Sequence, residues 1–411
     1  MRATPTANAI VIAAALASLT VSAVSAQVGD PVATPPPNQF PGVLTAIIRN
    51  ETTEPSINEA VEQAATFAHK EIGGRDDAKR DTLISITRPT TPDVVLAARD
   101  LAEDERNLVL ISGGDSQATI GFAGAYPNTV FVDVDQPVPC VTNDGRADPS
   151  GTCAGGTSAI PFNYASVDFS VDQGAYLAGI IAAAASRDDS LGIISGTPDC
   201  PECNLYADGF VLGARSVKPD VDVTIAYLAD EGEEIAFGDP TLAKTFAKAF
   251  IDVYQPDVVL PLAGSGSRGI IEAACEAGIF AVGTDYDVAT AYPELAECIL
   301  TSISKDIKYA VREAIFAFAN ASLGPEWRLG LADGAVAVTD EWTRLPGLPV
   351  DLTERYTLAE QAILTGQIAT CSTECGGASR PRDTDVPVDP DEPTVSPPPV
   401  ASPLPEEELT P

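Results

Sequence analysis

Twice along this chain, short apolar runs of strand type alternate with stretches of helical periodicity, and that alternation leaves few folds open. In the first block the strand-like runs are Val43 to Ile48, Thr82 to Ile86, Asn107 to Ile111 and Thr129 to Val134. A Gly/Thr/Pro-rich loop from Pro137 to Pro161 interrupts the pattern. It resumes with strands expected at Leu191 to Ser195, Asp222 to Tyr227, Val258 to Leu262 and Ile279 to Val282. Strands separated by helices predict parallel sheets covered on both faces. Two consecutive blocks of similar size imply two α/β lobes with a cleft between them.

The most informative unit runs from Asp257 to Asp287. Its strand, Val258 to Leu262, enters a turn containing Gly264, Ser265, Gly266, Ser267 and Gly269, and Ile270, Ile271, Ala273, Ala274 and Ala277 then recur at helical spacing. The next strand ends at Asp285 and Asp287. Glycine turn and acidic tip therefore lie at the carboxyl edge of the sheet, where open α/β sheets hold small ligands. Three readings fit. Gly264, Gly266 and Gly269 match G-x-G-x-x-G, with an acid at the end of the next strand, as in an NAD-dependent oxidoreductase. The turn could equally be a strand-to-helix connection without a ligand. Or it forms a sugar or nucleoside site, in which backbone N–H groups and Asp285 meet ligand hydroxyls. Ser112, which opens the Ser112-Gly113-Gly114-Asp115 turn after the third strand, and Gly264 count among the ligand-binding candidates.

Charge removes some partners. With 59 acidic and 24 basic residues, the net charge of -35 repels nucleic acid and anionic membranes. At 411 residues and 45% hydrophobic content the chain can bury a large core and divide into two domains. Arg2, the apolar segment Ala9 to Val24 and the small residues Val24-Ser25-Ala26 read as a secretory signal over 1–26. Export to the periplasm or the extracellular space follows, with an uncleaved signal as the route to membrane association. No cysteine follows the apolar segment as a lipid attachment point.

Eight cysteines in an exported chain point to disulfides. Local pairing is expected: Cys140 with Cys153, Cys200 with Cys203, Cys275 with Cys298, and Cys371 with Cys375. Cys200-Pro-Glu-Cys203 has redox-motif spacing but not the surrounding sequence of one. The single histidine, His69, lies on a polar helix far from any cysteine and reads as solvated, so neither a zinc site nor a nucleophilic triad is expected. The domain map is a Pro-rich linker over 27–41, a first lobe over 42–165 with a return segment near 286–325, and a second lobe over 166–285 with a return near 326–350. Leu300 to Ala321 reads as an amphipathic helix with Lys305 near its start. A terminal helix and cysteine pair occupy 351–375. The acidic, Pro-rich tail 376–411 has too few apolar groups to fold.

Several motifs in order then point to a family. Asp172-Gln-Gly-Ala-Tyr-Leu-Ala-Gly179, Leu191-Gly-Ile-Ile-Ser-Gly196 and Tyr206-Ala-Asp-Gly-Phe-Val-Leu-Gly-Ala214 come first. Phe237-Gly-Asp-Pro240, Val282-Gly-Thr-Asp-Tyr-Asp287 and Leu300-Thr-Ser-Ile-Ser-Lys305 follow. Over roughly Val43 to Ala321 the chain resembles the basic membrane protein family, which includes purine nucleoside receptors of ABC importers. The resemblance implies a type I periplasmic binding protein, two Rossmann-like lobes closing on a ligand, with no catalysis and no cofactor. By position it implies that Asp285 binds ribose hydroxyls, that Lys305 assists, and that Asp135 faces the ligand. It also implies that Tyr206 stacks on the base and that Asn58 matches the asparagine opening the first helix. The first loop departs from the family pattern: Ile57 stands where a phenylalanine would cover the base, and the first acid and the diglycine are absent. The expected partners are a nucleoside or similar small molecule and a membrane permease, with the protein a monomer. A sensory or secreted binding protein uncoupled from transport is the alternative that keeps the fold.

Overall fold

The computed structural model describes residues 45–372, apart from 51–54, 73–82, 105, 149–152, 231 and 233. The expected signal, linker, acidic tail and Cys375 lie outside the described residues.

The first block comprises β1 (Thr45–Asn50), α1 (Pro55–Glu71), β2 (Leu83–Arg88) and α2 (Thr91–Glu103). It continues with β3 (Leu108–Ser112), α3 (Ser116–Ala125), β4 (Val130–Val134) and β5 (Tyr164–Phe169). The second comprises α4 (Val171–Ala185), β6 (Ser190–Ser195), α5 (Pro201–Val217), β7 (Asp222–Tyr227) and α6 (Pro240–Tyr254). After it come β8 (Val258–Leu262), α7 (Ser267–Ala277), β9 (Phe280–Asp285), the single turn α8 (Val288–Ala291) and β10 (Ile299–Lys305). The chain closes with α9 (Ile307–Ala319), β11 (Glu326–Leu329), β12 (Val336–Val338) and α10 (Leu352–Leu364).

Two six-stranded sheets result, ordered β11-β5-β4-β3-β1-β2 and β12-β10-β9-β8-β6-β7. The orders correspond strand for strand, so each sheet repeats one doubly wound plan. All pairings are parallel except β10 with β12. The β-branched runs read from the sequence fill the fully buried strands β3 and β8. Within the second block α4 packs on α5 so closely that a Cβ on Gly213 would lie 1.9 Å from the carbonyl oxygen of Tyr176. That contact accounts for a glycine inside a helix, where it otherwise weakens helicity.

The lobe boundaries differ from those expected. β5 runs to Phe169 within the first sheet, so the first lobe extends past 165. β10, expected with the first lobe, belongs to the second sheet, and β11, expected with the second, pairs with β5 in the first. Helix α9 does lie against α1, β4 and β5 of the first lobe. The chain therefore passes between lobes after β5, after β10 and after β11. These passages are tied together: the Ser170 N–H donates to Leu329 O at 2.7 Å and the Asp306 N–H to Ala335 O at 2.8 Å.

Residues 299–305 form a strand, not the start of a helix. Leu300, Ile303 and Ile307 recur at helical spacing, yet both faces of β10 are buried and its hydroxyls are satisfied within the fold. Thr301 Oγ1 donates to Thr339 O at 2.8 Å, and Ser302 Oγ accepts from the Val288 N–H at 3.1 Å. His69 is likewise buried, with Nδ1 2.9 Å from Thr45 Oγ1, because it falls on the face of α1 that carries Val61, Ala65 and Ala68 into the core. The cap of α2 is Thr90, whose side chain accepts from the Asp93 N–H.

Disulfides join Cys140 to Cys153, Cys200 to Cys203 and Cys275 to Cys298, as expected. Cys371 is also disulfide-bonded.

Candidate ligand-binding site

A cavity of about 260 Å³ opens between the lobes, lined by strand tips from both sheets. The first sheet contributes Asn50 at the end of β1, Ser112 at the end of β3 and Asp135 just past β4. The second contributes Leu262 at the end of β8, Asp285 closing β9 and Lys305 closing β10. Corresponding positions of the two repeats thus confront one another: Asp135 and Asp285 both follow the fourth strand of their sheet. Both adopt left-handed backbone, with φ of 61° and 72°. Aspartate tolerates that region better than bulky residues do, and occupying it turns the chain sharply so that the carboxylate leaves the sheet edge.

Lys305 organises the charges. Its Nζ lies 2.6 Å from Asp135, 2.6 Å from Glu202 and 2.8 Å from Asp285, and its side chain is 1% exposed. One ammonium therefore pairs with a carboxylate of the first lobe and two of the second. Burial alone would lower the lysine pKa, but the three carboxylates outweigh it and hold the pKa well above the ordinary value. Burial drives Glu202 well above the usual carboxylate range, with the Asp135 charge adding to it. Asp135 is raised by burial against the pull of Lys305. Tyr206 is buried, and its hydroxyl donates to Asp285 at 3.1 Å.

Six of the seven residues singled out in the sequence, Ser112, Asp135, Tyr206, Gly264, Asp285 and Lys305, line this cavity. Asn58 does not: its Nδ2 donates to Asn50 O at 2.8 Å, one layer behind the wall, where it steadies the tip of β1. Among the wall residues that sequence reasoning passed over are Glu202, Phe237 and Gln136. Glu202 stands in the first turn of α5 between the cysteines of a loop clip, where only the clip drew notice. Phe237 presents a half-buried ring, and Gln136 follows Asp135. Ile57, in the departing first loop, lines the wall as an aliphatic group. Two polar atoms facing this region have no partner among the described residues: Ser112 Oγ and Asp135 Oδ1, both buried. Such atoms cost free energy unless something supplies a partner.

Of the glycine trio, Gly264 takes φ 51° at the cavity wall. Gly269 faces away from it, since a Cβ there would come 1.9 Å from Pro240 O on α6. Its smallness serves helix packing. Among the described residues no group of three His, Cys, Asp or Glu is arranged to hold a metal ion.

The chain is similar to known proteins. The family described as ABC transporter substrate-binding protein PnrA-like (Bmp) matches residues 49–351. Basic membrane protein B of Borreliella afzelii is 29% identical over 194 residues, 44% of this chain and 52% of that protein. The ABC transporter nucleoside-binding protein BmpA of Lactococcus lactis subsp. cremoris is 34% identical over 112 residues, 27% of this chain and 30% of its own. The chain thus spans about half the length of the first curated relatives it matches. A solved ABC transporter solute-binding protein of Aeropyrum pernix superposes with TM-score 0.62 at 19% identity, over 80% of this chain and 94% of that one. A solute-binding protein of Actinobacillus succinogenes with bound D-allose gives TM-score 0.51 at 15% identity, over 74% and 98%. At these identities the structural likenesses speak to fold.

Proposed function

This chain belongs to the PnrA-like family of ABC transporter substrate-binding proteins and has the type I periplasmic binding protein fold, and from that premise we propose that it captures a nucleoside outside the cytoplasm for the permease of an ABC importer. The observation that carries this reading is the group of strand-tip residues facing each other across the inter-lobe cavity: Asp285 and Lys305 from one sheet, Asp135 and Ser112 from the other. A carboxylate accepts two hydrogen bonds from a vicinal diol, and the adjacent ammonium keeps it ionised and oriented. Phe237 offers an aromatic surface in the same wall, where a planar base gains by stacking. Tyr206, whose hydroxyl is committed to Asp285, orients that carboxylate. The relative from Lactococcus lactis is named for nucleoside binding, which favours a nucleoside over a free sugar.

On this reading the protein binds and releases its ligand unchanged, as a monomer. Export by the N-terminal segment places it where it meets solute. No helix among the described residues is long and apolar enough to cross a membrane.

The test is a thermal-shift panel of adenosine, guanosine, inosine, cytidine, uridine, D-ribose and NAD. A ligand that binds only the folded state raises the melting temperature, by about 2.7 kcal/mol of stabilisation at a hundredfold excess over Kd. At least one nucleoside is expected to stabilise the wild type, and Asp285→Ala to abolish the shift while remaining folded by circular dichroism. Stabilisation by NAD alone, or by no nucleoside, overturns the proposal.

A further inference from the structure

Glu202 adds a charge to the cavity that the strand tips do not require. It sits in the first turn of α5, which is closed by the Cys200–Cys203 disulfide, and the Cys203 N–H also reaches Cys200 Sγ at 3.2 Å. Both cysteines line the cavity with it. The clip therefore holds the glutamate in place at the wall.

The ionisable groups lining the cavity are Asp135, Glu202, Asp285, Tyr206 and Lys305. Three carboxylates face one ammonium, and among the described residues Asp168, paired with Arg328, also interacts electrostatically with Asp135. An ammonium has three N–H donors. Lys305 donates to Asp135 and to Glu202, each at 2.6 Å, and pairs with Asp285 at 2.8 Å. A ligand that draws on Lys305 competes with these carboxylates, and Glu202 is the most exposed of the set, at 31% against 12% and 17% for the side chains of Asp135 and Asp285. Ser112 Oγ and Asp135 Oδ1, in the wall formed by the other sheet, are buried and have no partner among the described residues.

Resting on the nucleoside reading above, we propose that Glu202 is a specificity-determining residue that makes this cleft select ligands by charge, admitting neutral and amine-bearing nucleosides and refusing phosphorylated ones. Charge acts across the whole of so small a cavity, where little water screens it. The selection therefore does not depend on one pose. An anion entering meets an excess of carboxylate with its only cation already engaged, whereas an ammonium finds the glutamate available.

The experiment measures Kd by isothermal titration at pH 8. The probes are adenosine, guanosine and uridine, each with its 5′-amino-5′-deoxy derivative and its 5′-monophosphate, titrated into wild type and Glu202→Gln. The amide keeps the shape and removes the charge. The monophosphate-to-nucleoside Kd ratio is expected to fall at least tenfold in Glu202→Gln, and the advantage of the amino derivative to shrink by a similar factor. Nucleoside binding with both ratios unchanged by the substitution overturns the role of Glu202 and leaves the nucleoside reading intact. If none of the nine probes binds the wild type, the nucleoside reading itself fails and this inference falls with it. Cys200→Ser/Cys203→Ser provides a second variant: if the clip holds the glutamate, the ratios shift in the same direction as in Glu202→Gln.

Discussion

Asp133 shows how much a single position can owe to its surroundings. It occupies β4 two residues before Asp135, fully buried, where Tyr164 donates a hydroxyl at 2.7 Å and Thr119 another at 3.3 Å. Burial raises its carboxyl to about 7, more than the two hydrogen bonds lower it. Asp168 on β5 is raised to about 6 by the same cause, against the pull of Arg328. The folded state thus holds these protons more tightly than the unfolded chain. Their contribution to stability is complete below about pH 4 and is lost as pH rises through about 6 to 7. Each unit crossed between the two pKa values of one such group costs up to about 1.4 kcal/mol. Melting temperature is therefore expected to fall between pH 5 and pH 8, and Asp133→Asn to flatten that slope; a wild-type profile level or rising over the range contradicts it. None of this could be read along the chain, where Asp133 in β4 and Asp135 just past it are only two residues apart. The pleat sends one into the apolar layer between sheet and helix, and the positive φ turns the other into the cleft. Asp285 was legible as an acid at a strand tip. Glu202 was not, because only the fold brings the first turn of α5 to Lys305 at the end of β10.

At the level of elements, the strands that were misread or missed share one property. β5 and β10 are buried on both faces yet carry Ser166 and Asp168, and Thr301, Ser302 and Lys305. Their polar groups find partners only in the assembled sheet, so no continuous apolar run announces them. β3 and β8, built from aliphatic residues throughout, were plain. The disulfides illustrate a second limit. Pairing by proximity held for three bonds, whose separations are 13, 3 and 23 residues. Loop closure restricts the unfolded chain more as the loop lengthens, so removing Cys275–Cys298 should cost about 3 kcal/mol and removing Cys200–Cys203 about 1.5 kcal/mol. Urea denaturation of the two double-serine variants checks the order. Equal losses would mean that the short clip acts through native contacts around Glu202 more than through the unfolded state.

For the whole molecule, the consequence of the cluster is mechanical. Lys305 ties Asp135 of one lobe to Asp285 and Glu202 of the other, beside the three passages of chain on which hinged lobes would turn. Lys305→Met would leave three half-buried carboxylates facing one another across the cleft; removing one partner of a fully buried pair costs about 3 to 5 kcal/mol, and their partial exposure lowers the cost here. Opening the lobes relieves it. Small-angle scattering should accordingly show a larger radius of gyration for the folded Lys305→Met variant than for wild type, both without ligand; identical curves would deny the lysine this role.

Local patterning determined that the chain makes two α/β blocks with parallel strands, because β-branched runs and helical periodicity are properties of neighbours in sequence. It also placed acids at strand tips. Which strand joins which sheet, where the chain crosses between lobes, and that one buried ammonium would gather three carboxylates from residues 135, 202 and 285 was decided by the tertiary structure alone. The reason is physical: charge and burial act through space, over a few ångströms that the sequence spreads across more than a hundred residues.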